Sequence, residues 1–299
     1  MAAWKPSGLG PEFTYDLSQL RKVDPALIRW KQVAAVATGA ERPKAIAAAA
    51  GGGVLVASER GVRLFDAQGK SVSEFKTDAP AHAIATNKAG TIYLAAKDHV
   101  EVYDAAGKRA AAWESLGERA YLTGLAVGEQ DVFAADAGNR VLMRYDTAGK
   151  LVNRIGEEDA ARHAPGLVVP SPYFDVALGP QGMLWLVDPG RRRVECYTYD
   201  GDFRFAWGKA SMQIDGFCGC CNPTHLAIMA DGRFVTSEKG LPRVKVYDAE
   251  GNFTSVVAAP DDFQEGAVGL DLAVDAAGRI LVLDPDRRQV RVFAPKTDA

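Results

Sequence analysis

The sequence has little histidine or cysteine, four of each in 299 residues, so it has no disulfide framework of the kind that staples small secreted domains. It also has little charge bias. A net charge of −3 with no dense Lys/Arg block leaves no electrostatic footprint for nucleic acid or an anionic membrane. The longest apolar stretch, 45–57, is mostly Ala and Gly and too short to cross a bilayer, so no membrane span is expected. The opening MAAWKPSGLGPEF has neither a basic region followed by an apolar run nor a small-residue cleavage site, so no leader is expected in it. No phosphate loop of the Walker type, no Gly-x-Ser-x-Gly and no His-Glu-x-x-His occurs. Helical periodicity is missing too, outside 17–30.

What is present is a repeat. An aromatic residue, Asp, two residues and Gly recur as FDAQGK from Phe65, YDAAGK from Tyr103, YDTAGK from Tyr145 and YDAEGN from Tyr247, with a shortened YDGD from Tyr199. Upstream of each lies an apolar run, a Gly turn and a second apolar run, clearest from Phe174, His225 and Leu270 and fainter near Lys44, His82 and Leu122. The aromatic positions 65, 103, 145, 199, 247 and 293 are 38, 42, 54, 48 and 46 residues apart, the spacing of four-stranded propeller blades. Six units predict an all-β, six-bladed β-propeller. The last unit has only three strands, and IRWKQVAAVAT from Ile28 matches the outermost strands of other units, so this N-terminal strand is expected to complete the sixth blade. The boundaries expected are an N-terminal extension over 1–27, one propeller over 28–295 and a tail over 296–299. Cutting away the first 36 residues should destabilise the whole ring.

Three strings, VFAADAGNRVLMRYDTAGK from Val132, MLWLVDPGRRRVECYTYDG from Met183 and ILVLDPDRRQVRVF from Ile280, resemble the NHL-repeat signature. The likeness covers nearly the whole chain from about residue 30 and implies the propeller fold. It implies no single function, because such propellers serve as lyases, hydrolase-like enzymes, sensors and binding scaffolds. Lyases similar in fold hold zinc with several channel histidines; only His82 and His225 lie near channel positions here, which lowers that reading.

Chemistry is concentrated in GFCGCCNPTH. Cys218, Cys220 and Cys221, with His225 four residues on, supply soft ligands and an imidazole for a thiophilic metal: copper, zinc or an iron–sulfur centre. The same thiols allow a redox Cys218/Cys221 pair, a vicinal Cys220/Cys221 bridge, or a structural disulfide involving Cys196. Exported bacterial NHL-repeat proteins resemble the chain in carrying Gly-Cys-Cys-Asn-Pro before an inner strand. That resemblance implies a periplasmic or exported location, which is the expectation, while the low cysteine count is also compatible with the cytosol. The long loop into the fourth blade brings His163 to the same face as a secondary ligand, with His82 as another.

Aligned on their turn glycines, the units place Thr123, Asp175, His225 and Asp271 in one column at the start of inner strands three to six. Such polar residues suit a site at the channel mouth, with Asp175 and Asp271 as catalytic candidates, or hydrogen bonds to neighbouring blades. A second column, Glu59, Asp136, Asp188, Glu238 and Asp284, reads as turn caps. Arg191 to Arg193 and Arg287 to Arg288 read as solvated turns or ion pairs. The leading expectation is a metal-binding or redox propeller acting in electron transfer or metal handling. The alternatives are a scaffold that binds a protein partner on one face, its loop stapled by a disulfide, and a metal-dependent hydrolase or lyase at the channel.

Overall fold

The computed structural model describes residues 18–296, so 1–17 of the expected extension and 297–299 of the tail lie outside it. Six four-stranded antiparallel sheets follow one another along the chain. Their inner strands are Pro43–Ala48, Ala83–Thr86, Leu122–Val127, Val176–Leu178, His225–Ile228 and Leu272–Val274 for blades one to six. Each inner strand packs against those of the two neighbouring blades, and the sixth returns to the first. The helical expectation over 17–30 reduces to one turn at Ser18–Arg21 and a 3-10 turn at Pro25–Leu27.

The ring closes as the sequence predicts. Trp30–Ala37 lies antiparallel on Gln289–Pro295, with Trp30 opposite Pro295 and Ala37 opposite Gln289. Trp30 is 3% exposed, and its indole nitrogen donates to Ser255 Oγ of blade five at 3.2 Å.

The repeat phrase follows from turn physics. Asp66, Asp104, Asp146 and Asp248 each accept backbone N–H groups two and four residues ahead on one carboxylate oxygen, closing the hairpin between the third and fourth strands. Its glycine has a second constraint. A Cβ on Gly149 would lie 2.4 Å from the Trp113 ring, and one on Gly251 2.3 Å from the Trp207 ring. Both glycines have positive φ, so the turn and the close approach of the preceding blade's tryptophan demand the same residue. Trp113 and Trp207 then pack on Tyr145 and Tyr247, each pair with ring centroids 4.8 Å apart. Aromatic contacts of this kind are the mortar between blades.

The acidic column caps turns and also ties in the incoming loops. Asp136 accepts from Asn139 N and from Tyr121 N; Asp188 accepts from Arg191 N, and Asp284 from Arg287 N. Arg191 and Arg287 return to the same carboxylates as ion pairs at 2.7 and 2.8 Å.

Candidate functional site

The polar column that begins the inner strands converges at one end of the channel. Asp175, His225 and Asp271 enter from blades four, five and six, and one ligand atom from each lies within 4.8 Å of the others. His225 Nδ1 stands 3.5 Å from Asp175 Oδ2 and 3.3 Å from Asp271 Oδ1, and the three side chains are only 11–14% exposed. Neither contact has hydrogen-bond geometry, so both ring nitrogens of His225 are buried without a hydrogen-bond partner. The rest of the cluster is tightly held.

Asp175 accepts from Val176 N at 2.8 Å and, across the blade boundary, from Leu226 N at 3.0 Å. Asp271 does the same with Leu272 N at 2.8 Å and Ile46 N of blade one at 2.7 Å. Thr123 of the same column donates to the Phe174 carbonyl of blade four at 2.7 Å. The column therefore splices adjacent inner strands. Each carboxylate oxygen keeps a further lone pair directed elsewhere.

Two carboxylates beside one imidazole cannot all be ionised and neutral overall. Burial disfavours the imidazolium, yet the contact with Asp175 and the charges of Asp271 and Asp175 outweigh it, and the His225 pKa is raised. Burial pushes Asp271 up to about 6, with His225 opposing the shift and Asp175 adding to it. The cluster thus competes for protons, and a cation is the other way to neutralise it.

A narrow cavity of about 60 Å³ at the cluster is lined also by His82 and Thr123. Inner strands one and three carry a β-bulge, between Pro43 and Ala45 and between Leu122 and Gly124. Inner strand two has none and starts at Ala83, with His82 N bonded to the Ala95 carbonyl just before it. That difference shifts His82 by one residue relative to Thr123, yet His82 still reaches the channel. His163 is exposed at the end of a 3-10 turn and lines neither channel cavity.

The cysteine loop is a separate place. Among the described residues, the cluster above is the one grouping of three or more His, Cys, Asp or Glu side chains close enough to share an ion. The cysteines are not grouped with His225 in this way. All four are free thiols. Cys218 and Cys221 are buried and Cys220 is exposed; burial first, and then the Glu238 charge, raise the Cys218 pKa, so it stays a thiol at neutral pH. Cys196 lies in the apolar core of blade four with its pKa pushed up to about 11 by burial.

The loop is held by polar contacts. Cys218 N donates to Glu238 Oε2 at 3.1 Å, Asn222 Nδ2 to the Cys218 carbonyl at 2.7 Å, and Arg192 Nε to the Gly219 carbonyl at 2.7 Å. Beneath it Lys245, fully buried, donates to the Ile214 and Gly216 carbonyls at 3.0 and 2.7 Å and pairs with Glu238 at 2.8 Å. Charge alternation in strands gives no sign of this lysine, because the carbonyls it donates to are about thirty residues away in the chain.

No family model matches the chain, and no curated protein matches it by sequence. Its solved neighbours share the fold. A structural genomics protein of unknown function from Bacteroides thetaiotaomicron superposes with TM-score 0.64 at 17% identity over 85% of this chain and 70% of that one. A streptogramin B lyase gives TM-score 0.62 at 10% identity over 91% of this chain and all of that one. The virginiamycin B lyase of Staphylococcus aureus gives 0.58 at 14% over 90% of each. At such identities the likeness establishes the six-bladed propeller arrangement and nothing finer.

Proposed function

We propose that Asp175, His225 and Asp271 bind a divalent cation at the mouth of the propeller channel, and that the chain is a cation-dependent enzyme of hydrolase or lyase type acting there on a small molecule. The observation that carries this reading is the buried Asp–His–Asp grouping with neither imidazole nitrogen hydrogen-bonded. Ligands about 2.1 Å from a tetrahedral Zn²⁺ stand ~3.4 Å from one another. The 3.3 and 3.5 Å separations around His225 Nδ1 fit that edge length. Two carboxylate oxygens and one imidazole nitrogen suit Zn²⁺ or Mn²⁺ better than a soft ion.

When bound, such an ion supplies Lewis-acid polarisation of a substrate oxygen. The chain's own groups do the rest. The backbone donors Leu226 N and Ile46 N fix the two carboxylates, and the inner strands around them exclude bulk water. The lyase names of two structural neighbours supply a precedent for an enzyme on this architecture.

The test is elemental analysis of untagged protein alongside Asp271→Asn and Cys220→Ser, with calorimetric titration of Zn²⁺ and Mn²⁺. About one ion per chain, lost with Asp271→Asn and kept with Cys220→Ser, supports the reading. Loss with Cys220→Ser alone overturns it in favour of the thiophilic centre expected at Cys218, Cys220 and Cys221. Because the ion displaces protons held by His225 and Asp271, affinity should rise between pH 5 and 7, with proton release seen as buffer-dependent heat.

A further inference from the structure

Above the cluster the channel widens into a bowl of about 270 Å³, at the lower edge of the size range of small-molecule sites. His82, Thr123 and His225 line both this bowl and the narrow cavity below it, so the bowl opens onto the cluster. Its walls are largely flat and apolar: Tyr121, Tyr173, Pro172 and Val268, with Lys44 as the cation. Tyr121 is 36% exposed and Val268 46% exposed, so the bowl presents open apolar surface.

The two halves of the mouth differ in chemistry. In a ring of six, blade two faces blade five, so His82 stands across the axis from His225. Blades four, five and six supply Asp175, His225 and Asp271; blades one, two and three supply Lys44, His82 and the two residues Tyr121 and Thr123. His82 packs on Tyr121 with ring centroids 4.8 Å apart. Its Nδ1 is buried and has no hydrogen-bond partner. Burial above all lowers its pKa, the charge of Lys44 adds to that, and a hydrogen bond to the Leu122 backbone opposes it. At neutral pH the ring is therefore uncharged, and in the tautomer protonated on Nε2 the lone pair of Nδ1 faces no protein donor. A buried acceptor without a donor in a cavity wall has an unmet hydrogen bond that a ligand hydroxyl can supply.

We propose that the bowl binds a small hydroxy acid, with its hydroxyl donated to His82 Nδ1, its carboxylate towards Lys44 and its hydrocarbon part against Tyr121 and Tyr173. This rests on the placement of the site proposed above and names the ligand class, but it does not require the cation. Lys44 stands 3.6 Å from Glu59 and is 43% exposed, so it contributes attraction more than specificity. Discrimination comes from His82.

The experiment is calorimetric titration of mandelate and of phenylacetate, which lacks the hydroxyl, into chelator-treated and Zn²⁺-loaded protein. Mandelate should bind about tenfold more tightly than phenylacetate, the effect of one net hydrogen bond. His82→Phe keeps the ring on Tyr121 and should abolish that preference, whereas His82→Gln, which retains an acceptor, should preserve part of it. Equal binding of the two acids to wild type, no binding in either form, or a preference that survives His82→Phe overturns the proposal. The two readings fail separately. Zn²⁺ binding without a mandelate preference sinks this one alone, and the preference in protein that takes up no ion sinks the cation alone.

Discussion

Blades four and five are built on one template and differ at one buried charge. Asp188, Arg193, Glu195 and Tyr197 of blade four occupy the strand positions of Glu238, Arg243, Lys245 and Tyr247 in blade five. In blade four the buried carboxylate of Glu195 is satisfied on its own strand, by Tyr197 Oη at 2.6 Å and Arg193 Nε at 2.7 Å. In blade five a lysine stands there instead, and it reaches out of the sheet to the loop carbonyls at 214 and 216. The surrounding rings fit a cation: Lys245 Nζ lies 4.7 Å from the Phe217 ring and 5.3 Å from that of Tyr247. Blade four holds its incoming loop from the turn, through Arg191 and Asp188; exchanging the sign of one interior charge lets the sheet of blade five also anchor the loop leading to His225.

The sharpest way to break this comparison is to give blade five the residue of blade four. Lys245→Glu places two carboxylates together in the interior and strands the Ile214 carbonyl, Gly216 keeping only its bond from Arg243 Nη2, so it should cost at least about 4 kcal/mol, or prevent folding, in urea denaturation. His225→Ala should have the next largest effect, and one that depends on pH. The native pKa of Asp271 is about 6 against an ordinary 3.8, so the native state holds the extra proton and stability falls as pH rises through that window. Without the imidazole the two carboxylates repel unscreened, so the loss should be about 2 kcal/mol greater at pH 8 than at pH 5 by thermal denaturation. Glu195→Gln retains hydrogen-bonding capacity at a site where burial already raises the carboxyl pKa. It should stay within about 1 kcal/mol of wild type, far from the blade-five result. Cys220→Ser, at an exposed and unpaired thiol, should change stability by less than about 0.5 kcal/mol.

How far the sequence foretold this follows from what repeats. The blades, the closing strand and the Asp caps are periodic, so aligning units on turn glycines was enough to place them. The same alignment put Asp175, His225 and Asp271 in one column, because they begin equivalent strands. It does not fix the register of His82, since bulges present in inner strands one and three are absent from two. The cysteine loop drew attention through composition, but a loop has no period, and nothing in GFCGCCNPTH tells that Cys218 turns into the interior while Cys220 faces water. Nor does the string RVKVY announce that its lysine is buried.

The strand that seals the ring also sets an order of events during synthesis. Trp30 and Lys31 find their partners in Pro295 and Ala294, and Lys296 N bonds back to the Arg29 carbonyl. Five blades gather their strands from neighbouring stretches of chain as these leave the ribosome, whereas the sixth must wait while an early segment is kept unpaired. Throughout elongation that segment is a free β-edge, and the nascent chain is most open to mispairing then. Joining the two ends and opening the chain in an exposed hairpin turn elsewhere would make every blade local, and the permuted protein should refold faster from denaturant than the natural order does.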